Sequence, residues 1–162
     1  MVSQNDLLVK STEGIKSDIS QRDWSKQKRW EMQREVAVEV MRLFGTMLRG
    51  VSQFWGTTVS YNAQNINEGP PKHVREEWEA ANEATETHVM TYWQLEEVCR
   101  LVFSENVRSR MADIKDEYQK LTTSILNEEN YVKSKAKLDK GLRALLAKQD
   151  ALSNAIRTEL GF

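Results

Sequence analysis

Mostly non-polar side chains recur at alternating steps of three and four through nearly the whole chain, and that spacing leaves few folds open. The first set is Trp30, Gln33, Ala37, Val40, Phe44, Met47, Val51, Phe54, Thr58 and Tyr61. The second is Val74, Trp78, Ala81, Thr85, His88, Tyr92, Leu95, Cys99 and Val102. The third is Val107, Met111, Ile114, Tyr118, Leu121 and Ile125; the fourth is Tyr131, Lys135, Leu138, Leu142, Leu145, Gln149, Leu152 and Ile156. A repeat near 3.5 residues paints one stripe along a helix. A stripe needs a partner to hide it from water, so four stripes predict an all-α, antiparallel four-helix bundle.

The breaks in that pattern place the joints. The chain has two prolines, Pro70 and Pro71, which follow Gly69 and form its strongest interruption. Beyond them the only glycines are Gly141 and Gly161, too few for the turns of a sheet, and no stretch alternates as a strand does. The step from Val102 to Val107 is five residues, with Ser104 placed to cap a new helix. Between Ile125 and Tyr131 it is six, across Asn127-Glu128-Glu129-Asn130; this is either a short turn or a phase shift inside one long helix. Helices are expected at 23–62, 72–103, 105–126 and 129–160. Residues 1–22 are expected to form a short or weakly ordered N-terminal arm before a bundle domain at 23–162. Gly161, after Arg157 and Leu160, reads as a helix stop. Gly45, Gly50 and Gly56 fall inside the long first helix. They read as tolerated glycines or, in the sharper alternative, as points of close helix approach.

Composition excludes several classes. A chain of 162 residues, 40% hydrophobic and 29% charged, suits one globular domain. A net charge of −1 creates no global field to draw nucleic acid or anionic lipid. With one cysteine, Cys99, no intrachain disulfide can form. That fits a cytoplasmic setting, or the inner face of a membrane if a tether precedes the chain. The most apolar window, Val36 to Tyr61, contains Glu39, Arg42 and Arg49, so it reads as a core helix rather than a membrane span.

Few residues invite chemistry. His88 lies on the apolar stripe between Thr85 and Tyr92, but no paired Glu-x-x-His motif exists to make a di-iron bundle. Its plainer reading is a core histidine bonded to a neighbour. Cys99 lies eleven residues on, about 16 Å along a helix, too far for His88 to serve it as a base. Together with Tyr92 these three are buried polar groups to watch, around which an enzyme pocket would have to form. Glu31, Glu35 and Glu39 stand at i, i+4 spacing, but Arg34 and Arg42 beside them favour a solvated, ion-paired face over a metal or acid–base site. No phosphate loop, catalytic triad or zinc spacing is present, and no cofactor or metal is expected.

Charge is more informative. From Arg75 to Glu97 there are seven glutamates and one arginine. From Lys133 to Lys148, the cations Lys133, Lys135, Lys137, Lys140, Arg143 and Lys148 stand against one aspartate. The second and fourth helices are therefore expected either to be neighbours or to pair across a dimer. The sharper alternative is a nucleic-acid or anionic surface on the fourth helix. A second cluster, Trp24, Lys26, Lys28, Arg29 and Trp30, fits a membrane interface or a plain amphipathic helix start. Trp30 and Trp78, on their stripes, are expected in the core.

Three segments carry a resemblance: Asp23-Trp24 through Arg34-Glu35, Arg100 through Arg108, and Ala155 through Gly161. In these places the chain resembles small bacterial helical proteins that often begin with a membrane segment, whereas residues 1–22 here are polar. The resemblance implies a helical fold and no activity. The function expected is a non-enzymatic bundle that binds a protein partner or itself.

Overall fold

A computed structural model describes residues 26–64, 69–128 and 130–161. Its four helices are α1 (Lys26–Gln64), α2 (Lys72–Val102), α3 (Glu105–Leu126) and α4 (Tyr131–Leu160), and no strand occurs among the described residues. The arm expected at 1–22, and Trp24, lie outside the described residues. Gly69 takes the left-handed φ of 79° ahead of the two prolines, and α2 begins directly after Pro71. The joint at 127–130 separates two helices. Asn127 closes α3, and the Asn130 side chain accepts from the Lys133 backbone N–H to open α4. Gly161 ends α4 in the left-handed conformation at φ 85°, its N–H bonded to Arg157 O.

Cross-helix contacts fix the topology. Thr58 meets Trp78, Gly50 meets His88 and Gln33 meets Val102, so α1 and α2 run antiparallel. The pairs Leu121–Gly141 and Glu117–Lys148 make α3 and α4 antiparallel, and Trp30–Leu160 with Trp55–Ser134 do the same for α1 and α4. Tyr92 with Met111 and Glu96 with Lys115 complete the square between α2 and α3. Across the diagonals, α1 and α3 approach each other while α2 and α4 do not. The expectation that the acidic and basic helices are neighbours within the chain is therefore corrected: they occupy opposite corners.

The core is the meeting of the four stripes. Phe44, Leu95, Leu121 and Leu145, one from each helix, are all buried, with Val40, Met47, Val51, Met111, Ile114, Ile125 and Leu152 around them. The third stripe is buried at every position. On α4 the stripe is buried at Leu138, Leu145, Leu152 and Ile156, but its first half departs from the spacing. Tyr131 is exposed and Lys135 half-exposed, while Ser134 and Gly141 face inward. Ser134 is retained inside because its hydroxyl is bonded, and Gly141 because nothing larger fits: a Cβ there would lie 2.5 Å from Leu121 Cδ1. Trp30 and Trp78 are half-buried rather than core residues. Their indole N–H groups reach Leu160 O and Thr58 Oγ1 at the bundle margin, which leaves part of each ring in solvent.

One end of the bundle is tied by polar contacts. Buried Gln33 donates to the last-turn carbonyl of Val102 at 2.7 Å. The Glu159 carboxylate accepts from the Ser104 backbone N–H at 2.9 and 3.1 Å. Ser104 occupies the N-cap position of α3, but its own side chain makes no cap bond; Glu159 from α4 places negative charge at that helix start instead.

Candidate interaction surface

The buried polar trio does not assemble into a site. His88 packs its ring onto Gly50, where an added Cβ would lie 2.6 Å from His88 Cε1, so the sharper reading of Gly50 holds: α1 and α2 approach closely there. Gly45 and Gly56 face open space or a distant arginine and are tolerated glycines. Among the described residues His88 Nδ1 is buried without a hydrogen-bond partner, unlike the bonded core histidine expected, and burial lowers the imidazole pKa. Tyr92 Oη donates to Met111 O at 3.1 Å, a structural bond from α2 to α3, and burial drives its phenol well above the usual range. Cys99 is fully buried; desolvation first, then the Glu96 charge, pushes its thiol up to about 12, so it remains protonated and unreactive at neutral pH. Among the described residues no group of three or more His, Cys, Asp or Glu side chains is placed to hold a metal. Glu31, Glu35 and Glu39 lie along the outer surface of α1, with Glu39 paired to Arg42.

The cations of α4 divide into two groups. Lys135 pairs with Asp139, Lys137 with Glu128 at 2.8 Å, and Lys148 with Glu117 at 3.9 Å. The hydrogen bond from Lys137, followed by that from the Asn130 backbone, holds the Glu128 carboxyl below its ordinary range. Lys133, Lys140 and Arg143 are exposed and enter no ion pair among the described residues. With exposed Ala136 and Ala147 they form one stripe pointing away from the core, flanked by exposed Val132 and Leu146. On α2, Glu79, Glu83 and Glu86 stand at i, i+4 and i+7 on its outward face, exposed and likewise outside any ion pair. Met90, 53% exposed, continues that stripe.

Sequence reasoning missed the seam between α2 and α3. There a groove of about 370 Å³ has Phe54 of α1 as its floor, Asn82, Glu86, Val89 and Met90 on one wall, and Gln119, Thr122 and Leu126 on the other. Leu126 is 43% exposed although its neighbour Ile125 is buried. Farther along the same seam, Met90, Trp93, Glu97, Arg100 and Lys115 line a second depression, where Lys115 pairs with Glu96 at 2.8 Å and lies 5.8 Å from the Trp93 ring centre. The only signal in the sequence was that Met90, Trp93 and Leu126 are large apolar residues off the stripes. No helix among the described residues is long and apolar enough to cross a membrane. Set against known protein families, curated proteins and solved structures, the chain matches none of them.

Proposed function

We propose that this chain is a non-catalytic interaction module that associates with a protein partner, foreign or a second copy of itself, through charge-segregated outer faces. The observation that carries the reading is the diagonal separation of α2 and α4. The acidic helix has seven glutamates against three cations, and the basic helix seven cations against three carboxylates. Because the two helices do not touch, neither neutralises the other, and two stripes of opposite sign face outward. Such surfaces steer and orient a charged partner more than they hold it tightly. Beside the acidic stripe, the α2/α3 groove adds exposed apolar area of the kind an anchor residue fills. The apolar stripe of α1 is spent inside the bundle, so the contact surface lies on α2, α3 and α4.

Light scattering during gel filtration of the full chain, over a hundredfold range of concentration, tests the self-association branch. Mass is expected to rise with concentration and fall as salt is raised, since exposed charges are screened within about 10 Å at 0.1 M. Retention of a foreign partner on immobilised wild-type chain, lost on a chain with Glu79, Glu83 and Glu86 changed to lysine, tests the other. A chain that stays monomeric and retains nothing in a salt-sensitive way would remove the proposal.

A further inference from the structure

Resting on that reading, we infer that the partner is a second copy of this chain, and that copies join head to tail, the basic α4 stripe of one lying on the acidic α2 stripe and adjacent groove of the next. The two surfaces are opposite in sign, and each runs along one helix. Glu79, Glu83 and Glu86 repeat at i, i+4 and i+7 on α2; Lys133, Lys140 and Arg143, unpaired among the described residues, stand at i, i+7 and i+10 on α4, with Lys137, turned to Glu128, between them. Both rows are straight ridges on helices of similar length, 31 and 30 residues. Exposed Ala136 and Ala147 leave the α4 ridge low between its cations, so backbones can approach. Exposed Val132 and Leu146 on one surface and Met90 and Leu126 on the other supply the apolar contact that charge alone would not.

The geometry also decides the symmetry. A two-fold dimer uses one patch twice, so the acidic and basic surfaces would have to lie side by side on one face. Here they lie at opposite corners of the bundle, and a copy docked by its α4 still presents its own α2 to another. Such a contact is heterologous, and it grows into a ring or an open chain unless something caps it.

The test uses three full-length proteins: wild type, Glu83→Gln with Glu86→Gln, and Lys140→Gln with Arg143→Gln. All four positions are exposed, so helix content by circular dichroism is expected to be unchanged in both variants. By analytical ultracentrifugation, wild type is expected to pass beyond two copies as concentration rises. Each variant alone is expected to be monomeric, its association weakened at least tenfold. Mixed one to one, the variants retain one good surface of each kind and are expected to form a complex of two chains and no more. A wild-type chain that stops at two copies, with no gain on mixing the variants, overturns the head-to-tail inference while self-association stands. A wild-type chain that stays monomeric overturns the inference too, and leaves only the foreign-partner branch of the broader reading. Met90→Gln with Leu126→Gln, which changes no charge, is expected to weaken association severalfold; an unchanged affinity removes the groove from the interface.

Discussion

The α1/α4 and α2/α3 seams lie on opposite sides of one bundle and are closed in different ways. In the α1/α4 seam, Trp55 lies across the joint. Its indole N–H donates to buried Ser134 Oγ at 2.8 Å, its ring meets Tyr131 at 5.6 Å between centres, and Lys135 covers it at 5.8 Å. In the α2/α3 seam the corresponding aromatic, Trp93, lies 41% exposed on the outside, and the surface above Phe54 remains a groove. In its depths the α2/α3 seam is packed, with Tyr92 Oη bonded to Met111 O and Tyr118 buried. The difference lies in the outer layer: one seam has a large aromatic ring with a satisfied polar head as its cover, and the other has none. A bundle can fold with one seam left uncovered because its core layers already supply the burial, and the uncovered seam is where a partner gains most by arriving.

The sharpest way to break this comparison is to truncate the two tryptophans in turn. Trp55→Ala removes the ring and leaves the Ser134 hydroxyl buried without its partner, at a cost of about 3 kcal/mol. For a chain of this size that lowers the melting temperature by roughly 6–12 °C. Trp93→Ala removes a ring that is 41% exposed and is expected to cost less than Trp55→Ala, about 1 kcal/mol, yet to weaken self-association. Scanning calorimetry on both variants decides the matter, since equal losses would mean that the α2/α3 seam is as firmly covered as the other. A smaller effect probes the depth of the open seam. Tyr92→Phe deletes one buried bond to the Met111 carbonyl and is expected to cost about 1–1.5 kcal/mol by urea denaturation. Loss of nothing would indicate that water already reaches that carbonyl.

The sequence carried the helices and most of the core but not this difference between seams. Periodicity located three stripes almost residue for residue, because apolar side chains that meet in a common core must recur at the helical repeat. On the fourth it located Leu138, Leu145, Leu152 and Ile156 but not Ser134 and Gly141, which also face inward. A serine is tolerable there only because Trp55, 79 positions earlier, donates to it, and a glycine is required only because Leu121 presses on it. Neither condition can be read from α4 alone. The placement of Gly50 under His88 was hidden for the same reason. Charge segregation was plain in the sequence, yet whether α2 and α4 neutralise each other depends on which diagonal of the square closes. The groove was least legible, since it is the space left over when four separately periodic helices meet.

Alkaline titration gives the gentlest test of how far solvent enters between α2 and α3. Cys99, buried on α2, has a thiol pushed up to about 12, and Tyr118, buried on α3, a phenol pushed up to about 12 by burial. The neighbouring Thr85 hydroxyl opposes the Tyr118 shift without making a bond of good geometry, its own proton going to Ala81 O at 2.9 Å. A group whose folded pKa is raised contributes stability in full below its unfolded pKa, and loses that contribution as pH climbs toward the folded value. For Cys99 the loss begins near pH 8.5 and amounts to about half a kcal/mol between about pH 8 and 9, steepening above that. Cys99→Ala is expected to lie flatter over this window in urea unfolding, whatever its offset at neutral pH. Tyr118→Phe is expected to separate from wild type only nearer pH 10, where unfolded tyrosine ionises. Should the absorbance of Tyr118 as phenolate, taken as the difference between wild type and Tyr118→Phe, emerge near pH 10 in the folded chain, water must reach the buried face of α3. The α2/α3 seam would then be open through its depth and not only at its mouth.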